Sequence, residues 1–135
     1  MEVIVAREDN ILRITMNRPA KKNALTGAMY KAMQDALELA DRDEQIGAVL
    51  LTGTGGVFTA GNDIGDFLAG TRDAQGSPAF RFITAIAQCD TPIVAVCQSS
   101  PEILLVCRAL LEETFPGPLE VEAAFSVTVW SWNRV

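Results

Sequence analysis

Two short, almost uninterrupted apolar runs constrain this chain more than anything else in it. They are Ile46-Gly47-Ala48-Val49-Leu50-Leu51-Thr52 and Ile93-Val94-Ala95-Val96. A strand wetted on one face alternates apolar and polar residues. A strand buried on both faces does not, and that is the habit of parallel sheets. Parallel neighbours need a crossover, and the segment ahead of each run supplies a helix. After Thr26, a suitable N-cap, Met29, Ala32, Met33, Ala36, Leu37 and Ala40 recur at helical spacing. The i,i+4 pairs Lys31–Asp35 and Glu38–Arg42 lie mostly on the other side, so a helix is predicted over 27–42. Pro78 suits a first helical turn and predicts a helix over 78–89, with Phe82, Ile83, Ile86 and Ala87 on one face. Further upstream, residues 3–6 and 11–16 are apolar stretches separated by Glu8-Asp9-Asn10, the pattern of a β-hairpin that ends at Asn17-Arg18-Pro19. The order predicts an α/β fold, with helices covering a largely parallel sheet. At 135 residues this is one domain.

Composition removes whole classes of function. There is no histidine, so no Ser-His-Asp, Cys-His or His-ligated zinc site exists. Chemistry must come from carboxylates, backbone amides, Lys, Arg or a thiol. Seventeen acidic against eleven basic residues give a net charge of −6, which argues against a nucleic-acid partner. No apolar run reaches the roughly 18 residues of a membrane span, and no membrane partner is expected. Cys89, Cys97 and Cys107 are odd in number and form no C-x-x-C. The start, Met1-Glu2-Val3-Ile4, lacks the basic-then-apolar order of a signal peptide. The thiols are therefore expected to be reduced, in a cytoplasmic protein.

One constellation could carry chemistry. The glycine-rich stretch 53–56 follows the first apolar run and leads through Val57-Phe58-Thr59 to Ala60-Gly61-Asn62-Asp63. It lies past the C-terminal end of a buried strand, where open α/β sheets hold their ligands. A turn at Gly61 opening a short helix near Asp63 can aim backbone N–H groups at an anion or a polarised oxygen. Taken bare, such a turn is more often a plain connection. Asp63 and Asp66, three apart on that helix, fit either paired acid–base work or a solvated first turn. Arg18, Lys21 and Lys22 either meet phosphates or are ordinary surface. Residues 70–77 read as a mobile polar loop, 103–115 as a helix and 119–129 as an alternating strand.

Three stretches, in this order, resemble the crotonase superfamily, the enoyl-CoA hydratase/isomerase group. They are Asn17-Arg18-Pro19-Ala20-Lys21-Lys22-Asn23-Ala24-Leu25, the pair 46–53 and 57–64, and Thr91-Pro92-Ile93-Val94-Ala95-Val96. The resemblance implies a crotonase-like spiral of ββα units over residues 1–96, truncated, with an atypical C-terminal tail over 97–135. It implies an acyl-CoA thioester as ligand, with coenzyme A part of the substrate, no separate cofactor and no metal. It also implies homo-oligomers, trimers or dimers of trimers. Carried onto this chain, the backbone N–H of Asn62 is one oxyanion-hole donor and the carbonyl of Ala60 meets the adenine amino group. Ala20, Lys21, Lys22 and Ala24 line the coenzyme A entrance, and Gly61, Asp63 and Ile64 continue the pocket wall. The chain departs from the family after Val96. Cys97-Gln98-Ser99-Ser100 stands where members carry the glycine-rich turn of the second donor. Pro101-Glu102-Ile103 resembles the family's later P-E-I segment, in which Glu102 would be catalytic; the other reading is an unrelated tail. The two functional expectations are therefore an enoyl-CoA hydratase/isomerase and a non-catalytic domain that binds coenzyme A or joins family oligomers.

Overall fold

The computed structural model describes residues 1–69, 76–97 and 126–130, the last five and Cys97 in backbone only. The chain opens with the expected hairpin, β1 (Val3–Glu8) and β2 (Ile11–Met16). Asp9 takes a positive φ of 52° at its turn. Helix α1 (Gly27–Arg42) follows, with Thr26 as N-cap accepting from the Met29 N–H. Both of its i,i+4 ion pairs form, Lys31–Asp35 at 2.9 Å and Glu38–Arg42 at 3.3 Å. Strand β3 (Ala48–Gly53) starts two residues later than the apolar run. The short α2 (Ile64–Ala69) and α3 (Pro78–Gln88) lead to β4 (Ile93–Cys97).

The sheet runs β1-β2-β3-β4-β5, with β5 at Ser126–Trp130. Its centre is parallel, Leu12 facing Val49 and Val49 facing Ile93 in register. Both edges are antiparallel: β1 on β2, and β5 on β4. The sheet is thus mixed rather than largely parallel, because the hairpin and β5 each add a strand without a crossover. Strand β5 overlaps the end of the alternating stretch 119–129 and runs one residue past it. The rest of that stretch, the helix over 103–115, most of the loop 70–77, and Glu102 lie outside the described residues.

One face of the sheet meets α1. Leu12, Ile14 and Met16 alternate into that layer, where Met29, Met33, Ala36, Leu37 and Ala40 form the helix stripe. Phe82 of α3 joins it and stacks obliquely on Tyr30, ring centres 5.6 Å apart. The α3 face differs from its prediction. Phe82, Ala85, Ile86 and the capping Cys89 turn inward, while Ile83 is 61% exposed. The Phe82–Tyr30 contact fixes the rotation of this helix, and Ile83, one residue on, points elsewhere. The expectation that β3 is buried on both faces is also corrected. Val49 is fully buried, but Leu50, Leu51 and Thr52 are only half-buried. On the face away from α1, Arg13, Leu50, Thr52, Phe58 and Val96 line a hollow of about 230 Å³. Among the described residues no helix is long and apolar enough to cross a membrane.

Candidate functional site

Leaving β2, the chain turns through one 3-10 turn, Pro19–Lys21. Two consecutive left-handed residues follow, Lys22 at φ 51° and Asn23 at φ 55°. Asparagine tolerates this region better than other non-glycine residues, and here its side chain also pins both loops. The buried Asn23 Oδ1 accepts from the Arg18 N–H at 2.8 Å. Its Nδ2 donates to the Thr54 carbonyl at 2.9 Å and the Val57 carbonyl at 2.6 Å. The 17–25 loop is thereby tied to the loop after β3. Glycine is required at the end of β3, since a Cβ on Gly53 would stand 2.3 Å from the Val57 carbonyl oxygen.

From Lys22 to Leu25 the chain runs parallel to 60–63, with a bridge between Leu25 and Asn62. Ala60 N–H donates to the Lys22 carbonyl at 2.9 Å, Leu25 N–H to the Gly61 carbonyl at 2.8 Å, and Asp63 N–H to the Leu25 carbonyl at 2.9 Å. Gly61 sits at φ 92°. Its N–H donates to Thr59 Oγ1, which in turn donates to the Asn23 carbonyl. The amides of residues 60, 61 and 63 are all engaged. In a parallel bridge the residue between the two bonds turns its own N–H to the opposite side. Asn62 is that residue, and among the described residues no acceptor takes its N–H.

The carboxylates beside it are committed. Asp63 Oδ2 accepts from Arg18 Nη1 at 2.7 Å, and its Oδ1 accepts from the Asp66 N–H, capping α2. The Arg18 guanidinium, then the helix amides, hold the Asp63 carboxyl below the usual carboxylate range. Arg18 also pairs with Glu2 at 3.0 Å and donates to the Ala24 carbonyl. Asp66 Oδ2 accepts from the Gly27 N–H at 2.6 Å, joining α2 to the start of α1. Asp63 and Asp66 therefore each hold a structural contact. Arg18 leaves the proposed phosphate cluster for the same reason: its donors already serve two carboxylates and a carbonyl.

The remaining predicted residues lie in or next to the two segments of this junction. Ala20, Lys21 and Lys22 are exposed, Ala24 is half-buried, and Ala60, Gly61 and Asn62 are exposed beside them. Ile64 is 75% exposed at the start of α2. One participant was absent from the sequence reading. Tyr30 of α1 donates its hydroxyl to Asn62 Oδ1. Its signal was available, since it is the sole tyrosine and sits four residues after the N-cap Thr26.

A family model described as enoyl-CoA hydratase/isomerase matches residues 6–100. The chain is 34% identical over 101 residues to enoyl-CoA delta isomerase 3, peroxisomal, of Mus musculus, covering 70% of this chain and 32% of that protein. It is 38% identical over 65 residues to 2,3-dehydroadipyl-CoA hydratase of Escherichia coli (strain K12), covering 48% of this chain and 26% of that protein. Among solved structures, the enoyl-CoA hydratase/isomerase of Pseudoalteromonas atlantica T6c superposes with a TM-score of 0.65 at 43% identity. That match covers 70% of this chain and 38% of the other. The chain thus spans well under half the length of each of these relatives.

Proposed function

The chain belongs to the enoyl-CoA hydratase/isomerase family, and from that premise we propose that residues 20–24 and 60–64 bind an acyl-CoA thioester. The supporting observation is the Asn62 N–H, left without an acceptor by the bridge that engages its neighbours. A thioester carbonyl gains negative charge as a proton leaves its α-carbon. A fixed N–H dipole aimed at that oxygen stabilises the enolate more than the ground state. Hydration of an enoyl thioester and migration of its double bond both pass through such an enolate. Lys21 and Lys22, exposed beside Ala60, suit the phosphates of coenzyme A, and the Ala60 carbonyl suits the adenine amino group.

A second reading is favoured by the carboxylates. Asp63 is paired with Arg18, and Asp66 is held by the Gly27 N–H. Both carboxylates are engaged in structural contacts, and Glu102 lies outside the described residues. In that reading the chain binds coenzyme A thioesters and joins family oligomers without turning substrate over. Loss of one oxyanion donor costs about 10²–10³ in rate, and loss of a placed acid or base about 10²–10⁴.

Calorimetry with a short 2-enoyl-CoA tests the binding. The doubly reversed variant Lys21→Glu, Lys22→Glu is expected to weaken affinity at least about fivefold, matching roughly 1 kcal/mol for a charge a few ångströms from a phosphate in water. Absence of binding, or indifference to both reversals, would overturn the assignment. Following the loss of enoyl absorbance separates the two readings. Turnover that disappears in Glu102→Gln supports the enzyme, and background rates support the binding domain.

A further inference from the structure

We infer that Tyr30 is a positioning residue for the Asn62 backbone amide, acting through the Asn62 side chain. What the amide is for rests on the function proposed above; how it is held does not.

The peptide plane joining Gly61 to Asn62 carries both the Gly61 carbonyl and the Asn62 N–H. One hydrogen bond, from the Leu25 N–H to that carbonyl, holds the plane. A plane held by one bond can rock about it. Gly61 offers little resistance, because it is already at φ 92° with open space where a Cβ would stand. Asn62 is itself exposed, so packing does not restrain it. The second handle is its carboxamide, whose Oδ1 accepts from the Tyr30 hydroxyl. The Gly61 carbonyl and the Asn62 carboxamide are thus both held, and the N–H that lies between them along the chain is restrained.

Tyr30 is suited to be the fixed partner. Its backbone is within the first turn of α1, where its N–H donates to the Thr26 carbonyl at 3.0 Å. The core residues Met29 and Met33 flank it in sequence, and its ring rests on Phe82. A half-buried aromatic with two rotatable bonds loses little entropy in making one bond. Burial also raises the phenol above its ordinary range, which keeps the proton needed for donation. The hydroxyl thus carries the rigidity of the α1–α3 layer out to a turn that lacks packing of its own.

The test uses the whole chain, ¹⁵N-labelled, with Tyr30→Phe. That variant keeps the ring on Phe82 and removes only the hydroxyl. Order parameters are measured for the amides of Leu25, Asn62 and Asp63. The expected result is that Asn62 falls from the rigid range near about 0.85 towards the flexible range below about 0.6, while Leu25 and Asp63 stay rigid. In an Asn62→Ala background the hydroxyl has nothing to hold, so adding Tyr30→Phe is expected to change nothing further. An unchanged Asn62 amide in Tyr30→Phe, or equal loosening of all three amides, would overturn the inference whether or not the chain binds a ligand. Binding supplies a separate arm. Where the wild type binds, Tyr30→Phe should weaken a 2-enoyl-CoA severalfold and leave coenzyme A without an acyl group unaffected. Equal weakening of both would overturn positioning at the thioester. No binding of either ligand by the wild type would overturn the proposed function and leave the dynamics to decide Tyr30.

Discussion

Where the 17–25 loop meets residues 54–63, contact is made by named donors and acceptors. Where α1 meets β2 and β3, it is made by side-chain volume. In the loop junction a single buried Asn23 satisfies one amide and two carbonyls, and three further backbone bonds run alongside it. Under α1 the fully buried residues are Ile14, Met16, Met29, Met33 and Val49, none of which has a hydrogen-bonding requirement in its side chain. The first arrangement sets directions and cannot slide. The second sets distances and can repack. The Asn62 amide sits within the first kind of contact, and the second keeps that junction at a fixed place on the sheet.

The largest expected effect is at Asn23. Replacing it with Ala strands the Arg18 amide and the Thr54 and Val57 carbonyls. Half-buried groups left unpaired cost towards the lower end of about 1–3 kcal/mol each, so a loss of about 4 kcal/mol is expected in urea unfolding. Asn23→Asp keeps the acceptor for Arg18 but sets a buried carboxylate against both carbonyl oxygens, and is expected to cost at least as much as Asn23→Ala. A loss under about 1 kcal/mol for Asn23→Ala would mean the junction is held by something other than these bonds, and the contrast with the core would fail.

Met33 sharpens the other side. It is fully buried under α1. Met33→Ala is expected to cost about 3 kcal/mol, within the span for emptied core sites. Met33→Leu keeps the volume and should cost under about 1.5 kcal/mol. If Leu proves as harmful as Ala, the core is as shape-bound as the junction is direction-bound, and the two regions differ in chemistry but not in tolerance.

What the sequence showed of these regions follows the same division. The hairpin, α1 with its Thr26 cap, and the apolar centre of β3 and β4 were legible, because each is written in local periodicity or a local cap. The resemblance around 17–25 and 57–64 marked two stretches that the fold joins. Its internal wiring was not legible. Arg18 reads as one of three cations near phosphates until Asp63, 45 positions away, is seen to hold it. Tyr30 reads as a helix residue until Asn62, 32 positions away, accepts its hydroxyl. Such pairs depend on the register of two distant segments, which no short window contains. Ile83 failed for a related reason: helical spacing gives the stripe but not which of two adjacent stripes meets Tyr30.

A third place joins the two kinds of contact and is expected to show the smallest effect. At the end of α1 the Asp41 carboxylate accepts from the Thr91 N–H at 2.9 Å, the Thr91 hydroxyl at 2.8 Å, the Asp90 N–H at 3.3 Å and the Cys89 thiol at 3.2 Å. Burial alone would raise the Asp41 carboxyl, but these donors outweigh it and hold the group below its ordinary value. The Cys89 thiol moves the other way. Burial first, then its hydrogen bond to Asp41 and the Asp41 charge, push it from its ordinary 9.0 up to about 12. Between those values the unfolded chain has released the thiol proton and the folded chain keeps it. The folded state then binds more protons, so its stability falls as pH rises from about 9. The fall should be milder than either core or junction losses, because nearby solvent at the exposed Asp41 screens the charge. Urea midpoints between pH 7 and 11 should drop more steeply in the wild type than in Cys89→Ala, which lacks the titrating group. Parallel curves for the two would show that the thiol does not report this contact. Asp41→Asn then divides the cause: it removes the charge while leaving the burial. A drop that persists there assigns the shift to exclusion from water, as in the α1 core, and a drop that vanishes assigns it to a directed polar contact, as at Asn23.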